Sequence, residues 1–279
     1  MAIKFYKPTT PARRKASVQD FSDVTKFTPE RGLTRRIKRH AGRNNSGRIT
    51  VRHHGGGAKR LYRLVDFRRT KYDVPGTVLA VEYDPNRGPR IALVEYEDGE
   101  RVYLLAPEGL SVGDSMMSSQ QKIEAKPGAR MPLEHIPVGL FVYNIELTPG
   151  KGGQLVRGAG LGAQIQVIEN DLAQLRLPSG EIRQVKKSCL ATVGKVGNPD
   201  YQLVRLGKAG RRRHMGWKPR VKGKNMNPVD HPHGGGEGHS PIGLRKGPKT
   251  LWGKLAMGVK TRKQDKWSNH FIVERRKKK

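Results

Sequence analysis

The sequence predicts a mostly β protein: two consecutive small barrels carried between long, basic, irregular ends. Three observations lead there. Runs with alternating polarity are confined to about residues 48–196, and alternation with period two is the mark of a half-buried strand. Charge is concentrated at the ends, net +13 over residues 1–60 and +17 over 196–279, while 61–195 is close to neutral. Finally, residues 197–279 hold 13 glycines and 6 prolines, too many for stable helices or strands.

Taken in order, residues 1–41 are polar and basic, with Pro8, Pro11 and Pro29. They read as an extended arm ordered mainly by a partner. "RITVRH" places Ile49 and Val51 on one side of a short strand. "GTVLAVEYD" (76–84) is a strand that ends in the turn sequence "DPNRG". "RIALVEYEDGERVYLLAPEG" (90–109) is a hairpin, with Asp98-Gly99 suited to positive φ. A boundary falls near "AKPGARMP" (125–132). Beyond it, "HIPVGLFVYNIEL", "GAQIQVIE", the hairpin "AQLRLPSGEIRQV" and "CLATVGKVGN" supply a second β set. In the hairpin, Leu175 and Leu177 face opposite to Gln174 and Arg176. The division expected is an arm (1–41), a first barrel (42–125), a second barrel (126–196) and a basic tail (197–279). Within the tail, Leu251, Leu255 and Val259 have helical spacing, but Gly253 and Gly258 interrupt it, leaving room for one short turn.

Composition narrows the chemistry. Lys and Arg number 55 against 24 Asp and Glu, a net charge of +31 that repels itself unless a polyanion neutralises it. Nucleic acid is the expected partner. An anionic membrane is disfavoured because the ends carry no long amphipathic face, no stretch approaches the ~20 apolar residues of a span, and the start has no signal-like apolar segment. The single cysteine, Cys189, excludes an internal disulfide and a multi-cysteine zinc site; it reads as a small buried residue. No cofactor is expected.

Two stretches carry the candidate binding residues. "GRNNSGRITVRHHGGGAKRLYR" (42–63) contains Arg43, Arg48, Arg52, Lys59, Arg60 and Arg63, with His53 and His54 as conditional cations and no acid among them. Gly55, Gly56 and Gly57 allow the backbone close to a phosphate with its N–H groups exposed, and Arg68 and Arg69 follow shortly after. The bland alternative is a solvated loop charged for solubility. A nucleotide P-loop is excluded by the missing GxxxxGK[ST] pattern. In the second stretch (207–241), Lys208, Arg211, Arg212, Arg213, Lys218, Arg220, Lys222 and Lys224 alternate with glycine and with the ring of Trp217. Cations interleaved with an aromatic suit phosphate contact plus base stacking.

The second stretch ends in "NPVDHPHGGGEGHSP" (227–241), which admits three readings. His231, His233 and His239 with Asp230 and Glu237 could ligate a metal, although no cysteine joins them and polyglycine holds ligands poorly. A histidine beside an aspartate could act as a general base, but no nucleophile is fixed by spacing. In the third reading, favoured by the surrounding charge, Asn227, His231 and His233 bond to RNA while Gly234, Gly235 and Gly236 permit close approach.

These two stretches, with "EYDPNRGPRIALVEYEDGERVYLLAPEGL", "IPVGLFVYNIELTPGKGGQLVRGAG" and "LPSGEIRQVKKSCLATVGKVGN", resemble the family of the second protein of the large ribosomal subunit, in its bacterial or plastid form. The resemblance implies an OB-fold-like barrel followed by an SH3-like barrel, with two extensions into RNA. It also implies primary binding to large-subunit ribosomal RNA, an intersubunit bridge to small-subunit RNA, contacts with other ribosomal proteins, and support of transfer-RNA binding and peptide-bond formation. The protein would work in the ribosome of the cytoplasm or of the plastid stroma. A direct catalytic part has been proposed for the histidine that reads here as His231; the absence of an acyl-transfer constellation favours a supporting role. The chain departs from the family pattern at Arg213-His214, at Asn225 and in "RGAGLGAQ". Two other classes remain open on charge and motif alone: a DNA-compacting protein, and a hydrolase or acyl transferase using His231, His233 and Asp230.

Overall fold

In the computed structural model, which describes residues 3–276, the chain divides into two compact units. The barrel unit comprises the residues up to 38, 59–209 and those from 270 onward; the loop unit comprises 39–58 and 210–269. This differs from the four segments read off the sequence, because 42–58 groups with tail residues.

Residues 3–38 are not a loose arm. Strands β1 (Ile3–Phe5) and β2 (Ser17–Gln19) pair antiparallel around the short helix α1 (Pro11–Arg14), whose N-terminus is capped by the Thr10 hydroxyl. Ser17 exchanges hydrogen bonds with the backbone of Arg205. Asp23 receives two bonds, at 2.9 and 3.1 Å, from Arg90, which is 1% exposed. Strand β3 (Thr34–Arg36) pairs with β4 (Leu61–Arg63). The basic composition concealed these attachments, since a buried arginine that needs a carboxylate looks like one more surface cation.

The first barrel is built on β5 (Gly76–Tyr83), β6 (Arg90–Tyr96), β7 (Arg101–Leu105) and β8 (Ser115–Met116), in the order β7-β6-β5-β8. Gly99, at φ +79°, makes the β6–β7 turn. A bulge between Val78 and Ala80 shifts the register of β5. Val78 therefore packs with Ala92, Val94 and Leu104 on one face, and Ala80 with Ile91, Leu93 and Tyr103 on the other. Both faces are buried, and the bulge bends the strand as a barrel requires. The edges are covered too: Lys26 pairs with Glu82, and Val65 with Tyr103.

The second barrel contains β9 (Arg130–Pro132), β10 (Phe141–Tyr143), β11 (Ala163–Glu169), β12 (Leu172–Arg176), β13 (Ile182–Lys186) and β14 (Leu190–Val193). Its core gathers Met131, Leu133, Val142, Ile145, Ile165, Leu175 and Cys189. Burial pushes the Cys189 thiol up to about 11, so it is a packed thiol with little nucleophilic character near neutrality. At the centre, Arg130 (0% exposed) donates to Glu146 and to the Asn144 carbonyl, each at 2.9 Å. Glu146 also accepts the N–H groups of Gly150, Gly152 and Leu190. Burial lowers the Arg130 guanidinium to about 10.

The fold is thus mostly β, with an OB-fold-like barrel followed by an SH3-like barrel, and the two share packing. Leu105, Tyr143 and Val196 form one cluster with Val65, Phe67 and Val156 against it. The Tyr143 hydroxyl donates to the Leu105 carbonyl, and the Gly197 N–H to that of Ala106. The tail also contributes structure that its composition did not suggest. Strand β15 (Ile272–Glu274) adds to β13, giving the order β15-β13-β12-β11-β10-β14-β9. Among the described residues no helix is long and apolar enough to cross a membrane.

The buried pair gives a sharp expectation. Glu146→Ala strands a guanidinium and the N–H donors of Gly152 and Leu190 in the core, and should cost about 3–5 kcal/mol in urea unfolding.

Candidate nucleic-acid interface

The first basic stretch forms loops rather than the expected strand. The Gly47 N–H donates to the Asn44 carbonyl and the Arg48 N–H to the Asn44 side chain, closing a tight turn. Only an isolated bridge links Arg43 to Ile49. Ile49 and Val51 are 55% and 54% exposed, because no neighbouring strand offers a face for them to bury. Arg43, Arg48 and Arg52 are exposed on this loop.

What the loop does pair with lies about 160 residues away in the chain. The Gly55 N–H donates to the Gly216 carbonyl at 2.9 Å, the Ala58 N–H to that of His214 at 2.8 Å, and the Lys218 N–H to that of His53 at 2.9 Å. The rings of His54 and Trp217 lie 4.5 Å apart. Arg39 donates to the Gly57 and Ala58 carbonyls. A Cβ on Gly57 would sit 2.8 Å from the Gly216 nitrogen. Glycine is therefore required at 57 by backbone packed on backbone inside the protein, a use that the sequence reading had assigned to phosphate. Arg213 is drawn inward, next to Gly56 and donating to the Trp217 carbonyl. Arg212 and Arg220 lie 5.7 and 5.9 Å from the Trp217 ring centre. Arg212 and Arg213 lie in the short helix α2 (Ala209–His214), another element absent from the sequence expectation, and Arg220 lies beyond it.

The histidine loop is likewise held by its own backbone. The His233 N–H donates to His231 Nδ1 at 3.1 Å, and the Lys249 N–H donates to His233 Nε2 at 2.9 Å. Each imidazole thereby presents one ring nitrogen as an acceptor to a backbone N–H. The two rings are 4.7 Å apart. Gly234 packs on the Asn227 carbonyl, and a Cβ on Gly235 would meet Pro228 at 2.7 Å. Gly236 packs on Ser240. Asn227 is exposed; His231 and His233 are half-buried. Among the described residues no three His, Cys, Asp or Glu side chains gather as metal ligands. A hollow of about 540 Å³ lies beside the loop, lined by Arg220, Lys222, Lys224, Asn225, Glu237 and His239 among others.

Residues 42–58 and 210–241 of the two sequence stretches therefore fall in one compact unit. The loop unit holds 19 Lys and Arg against 3 Asp and Glu, net +16, and seven of the nine histidines. No apolar side chain in it is buried. Two family models match the chain: "Ribosomal Proteins L2, RNA binding N-terminal domain" over residues 30–118, and "Ribosomal Proteins L2, C-terminal domain" over 126–253. The chain belongs to the ribosomal protein L2 family. It is a structural protein of the large ribosomal subunit that binds ribosomal RNA.

Within this L2-family chain the barrel-borne candidates divide by exposure. Lys59, Arg68 and Lys208 are exposed. Arg60 reaches the Pro85 carbonyl at 2.8 Å. Arg63 and Arg69, expected at the surface, are 8% and 2% exposed. Arg63 donates to the Leu61 carbonyl, and Arg69 donates to those of Gly128 and Met117, tying the two barrels together. Their charges are used internally. Sequence reasoning missed a different group. The Phe67 ring lies 4.4 Å from the Arg157 guanidinium and 5.6 Å from that of Arg87. Beside it, a hollow of about 410 Å³ is lined by Arg68, Lys151, Gln154 and Arg157 among others. Lys151 and Arg157 come from a nearly neutral segment far from Phe67 in the chain, so no local charge run marked them.

Gly57→Ala forces a Cβ into the Gly216 backbone. The variant should be cleaved faster by trypsin at 211–218 and bind ribosomal RNA more weakly. Gly210→Ala, whose Cβ meets nothing within 4 Å in a helix that favours alanine, should leave both unchanged.

Proposed function

We propose that the loop unit is the principal RNA-contacting surface of this L2-family protein, through Arg43, Arg48, Arg52, His53, Lys218, Arg220, Lys222, Lys224, Asn227 and the exposed edges of the histidine loop. A second contact lies at the Phe67 hollow, through Arg68, Lys151 and Arg157. The observation that carries this reading is the joining of two distant basic stretches into one body of net +16 without an apolar core. Such a surface gains most of its affinity from phosphates that displace counterions, and its specificity from RNA shape. In the assembled ribosome, of cytoplasm or plastid, these contacts support subunit association across small-subunit RNA, transfer-RNA binding and the peptidyl-transferase region.

The protein acts there as a scaffold and not as the catalyst. A general base needs a free lone pair. In His231, Nδ1 is already engaged as the acceptor of the His233 N–H. The ring instead offers its Nε2–H as a donor, suited to a phosphate, a 2′-hydroxyl or a base edge.

Filter binding to large-subunit RNA across a salt series tests the proposal. Replacing Arg48, Arg52 and Lys222 together by alanine should flatten the slope of log affinity against log salt by about 2–3, and duplex DNA should compete poorly. An unchanged slope would refute the assignment. RNA-free protein should show no acyl transfer; turnover abolished by His231→Ala would overturn the scaffold reading.

A further inference from the structure

We infer that Trp252 is a stacking platform for an unpaired base of ribosomal RNA. This inference rests on the RNA-binding reading above and adds to it a contact that recognises a base face rather than a phosphate.

Residues 248–256 fold as a small hairpin, where the glycine-interrupted spacing of Leu251, Leu255 and Val259 left room for one short turn. The Ala256 N–H donates to the Pro248 carbonyl at 2.8 Å, and the Thr250 N–H to that of Lys254 at 2.7 Å. The Gly253 N–H donates to the Thr250 carbonyl at 3.0 Å, and Gly253 adopts φ +74°. Trp252 therefore occupies the third position of the tip turn, and it is 72% exposed. An indole is a costly side chain to leave in water, since burying one removes roughly 150–250 Å² of surface. The loop unit has no apolar interior for it to turn into.

Charge selects the occupant. Lys249 and Lys254 bracket the tip, Arg245, Lys246 and Lys260 lie close by in sequence, and the nearest acids along the chain are Glu237 and Asp265. An apolar pocket on another protein would bury the ring but leave these cations unmatched. An unpaired nucleotide brings a π face for the indole together with phosphates for the lysines. Trp217, the aromatic that the sequence singled out, is less available for this role, because His54, Arg212 and Arg220 already surround its ring.

The test uses full-length protein and large-subunit RNA in filter binding, with W252F, W252L and W252A compared at equal unfolding midpoints. Stacking predicts that W252F binds close to wild type. W252L and W252A should each weaken binding by about tenfold or more with the salt slope unchanged, and ultraviolet irradiation of the wild-type complex should cross-link the peptide containing Trp252 to RNA. W252L binding as tightly as wild type would instead indicate an apolar pocket, and W252A doing so would indicate no contact; either overturns the inference while leaving the RNA-binding reading intact. A wild-type protein that fails to bind the RNA at all would overturn both.

Discussion

Repulsion among like charges, in a unit with no apolar core to oppose it, is the constraint on which the rest of this structure depends. The loop unit sets 19 cations against 3 carboxylates and buries no apolar side chain. Its shape is held by backbone bonds such as Gly55 to Gly216 and Lys218 to His53, by the glycine at 57 that lets the chains touch, and by histidines used as acceptors for backbone N–H groups. Each such bond contributes only about 0.5–1.5 kcal/mol net. Under the proposed RNA contact, a polyanion would remove the opposing term and couple binding to ordering in this unit.

The barrel unit works by the opposite rule. Its buried cations are matched inside the fold: Arg90 with Asp23, Arg130 with Glu146, and Arg69 on two carbonyls. Its sheets bury both faces where the Val78–Ala80 bulge exchanges them. The loop unit is made of two segments, 39–58 and 210–269, inserted into the chain of this self-sufficient fold. Phe67 with Arg157 shows that the barrel unit also presents a basic, aromatic feature at its surface, and this one is assembled by tertiary packing.

The barrels were legible in the sequence because strand alternation and turn chemistry are local. The 90–109 hairpin with its Asp98-Gly99 turn, and the Leu175 face of the 172–186 hairpin, follow directly from residue spacing. The attachments were not legible. Nothing in "RITVRH" says that its strand lacks a neighbour, and nothing in the tail's composition says that Ile272–Glu274 will extend β13. Within the candidate site, residue types marked two basic stretches but not which of their residues the protein uses internally. Arg63 and Arg69 look like Arg48 and Arg52 until burial separates them. The glycines at 57 and 234–236 are places of close approach, but the approaching partner is the protein itself: backbone at Gly57 and Gly234, the Pro228 and Ser240 side chains at Gly235 and Gly236. Such distinctions depend on tertiary contacts, Arg69 with Gly128 and Gly57 with Gly216 among them, which composition cannot encode.

Amide hydrogen exchange on the full chain, alone and bound to large-subunit ribosomal RNA, tests the central claim most directly. The account predicts that the amides of Gly55, Ala58, Gly216 and Lys218 exchange quickly in free protein and slow strongly on RNA binding, whereas those of the β5–β7 and β11–β13 sheets are slow in both states. Equal, high protection of the loop-unit amides in the free protein would contradict it, because that unit would then hold its shape without a polyanion.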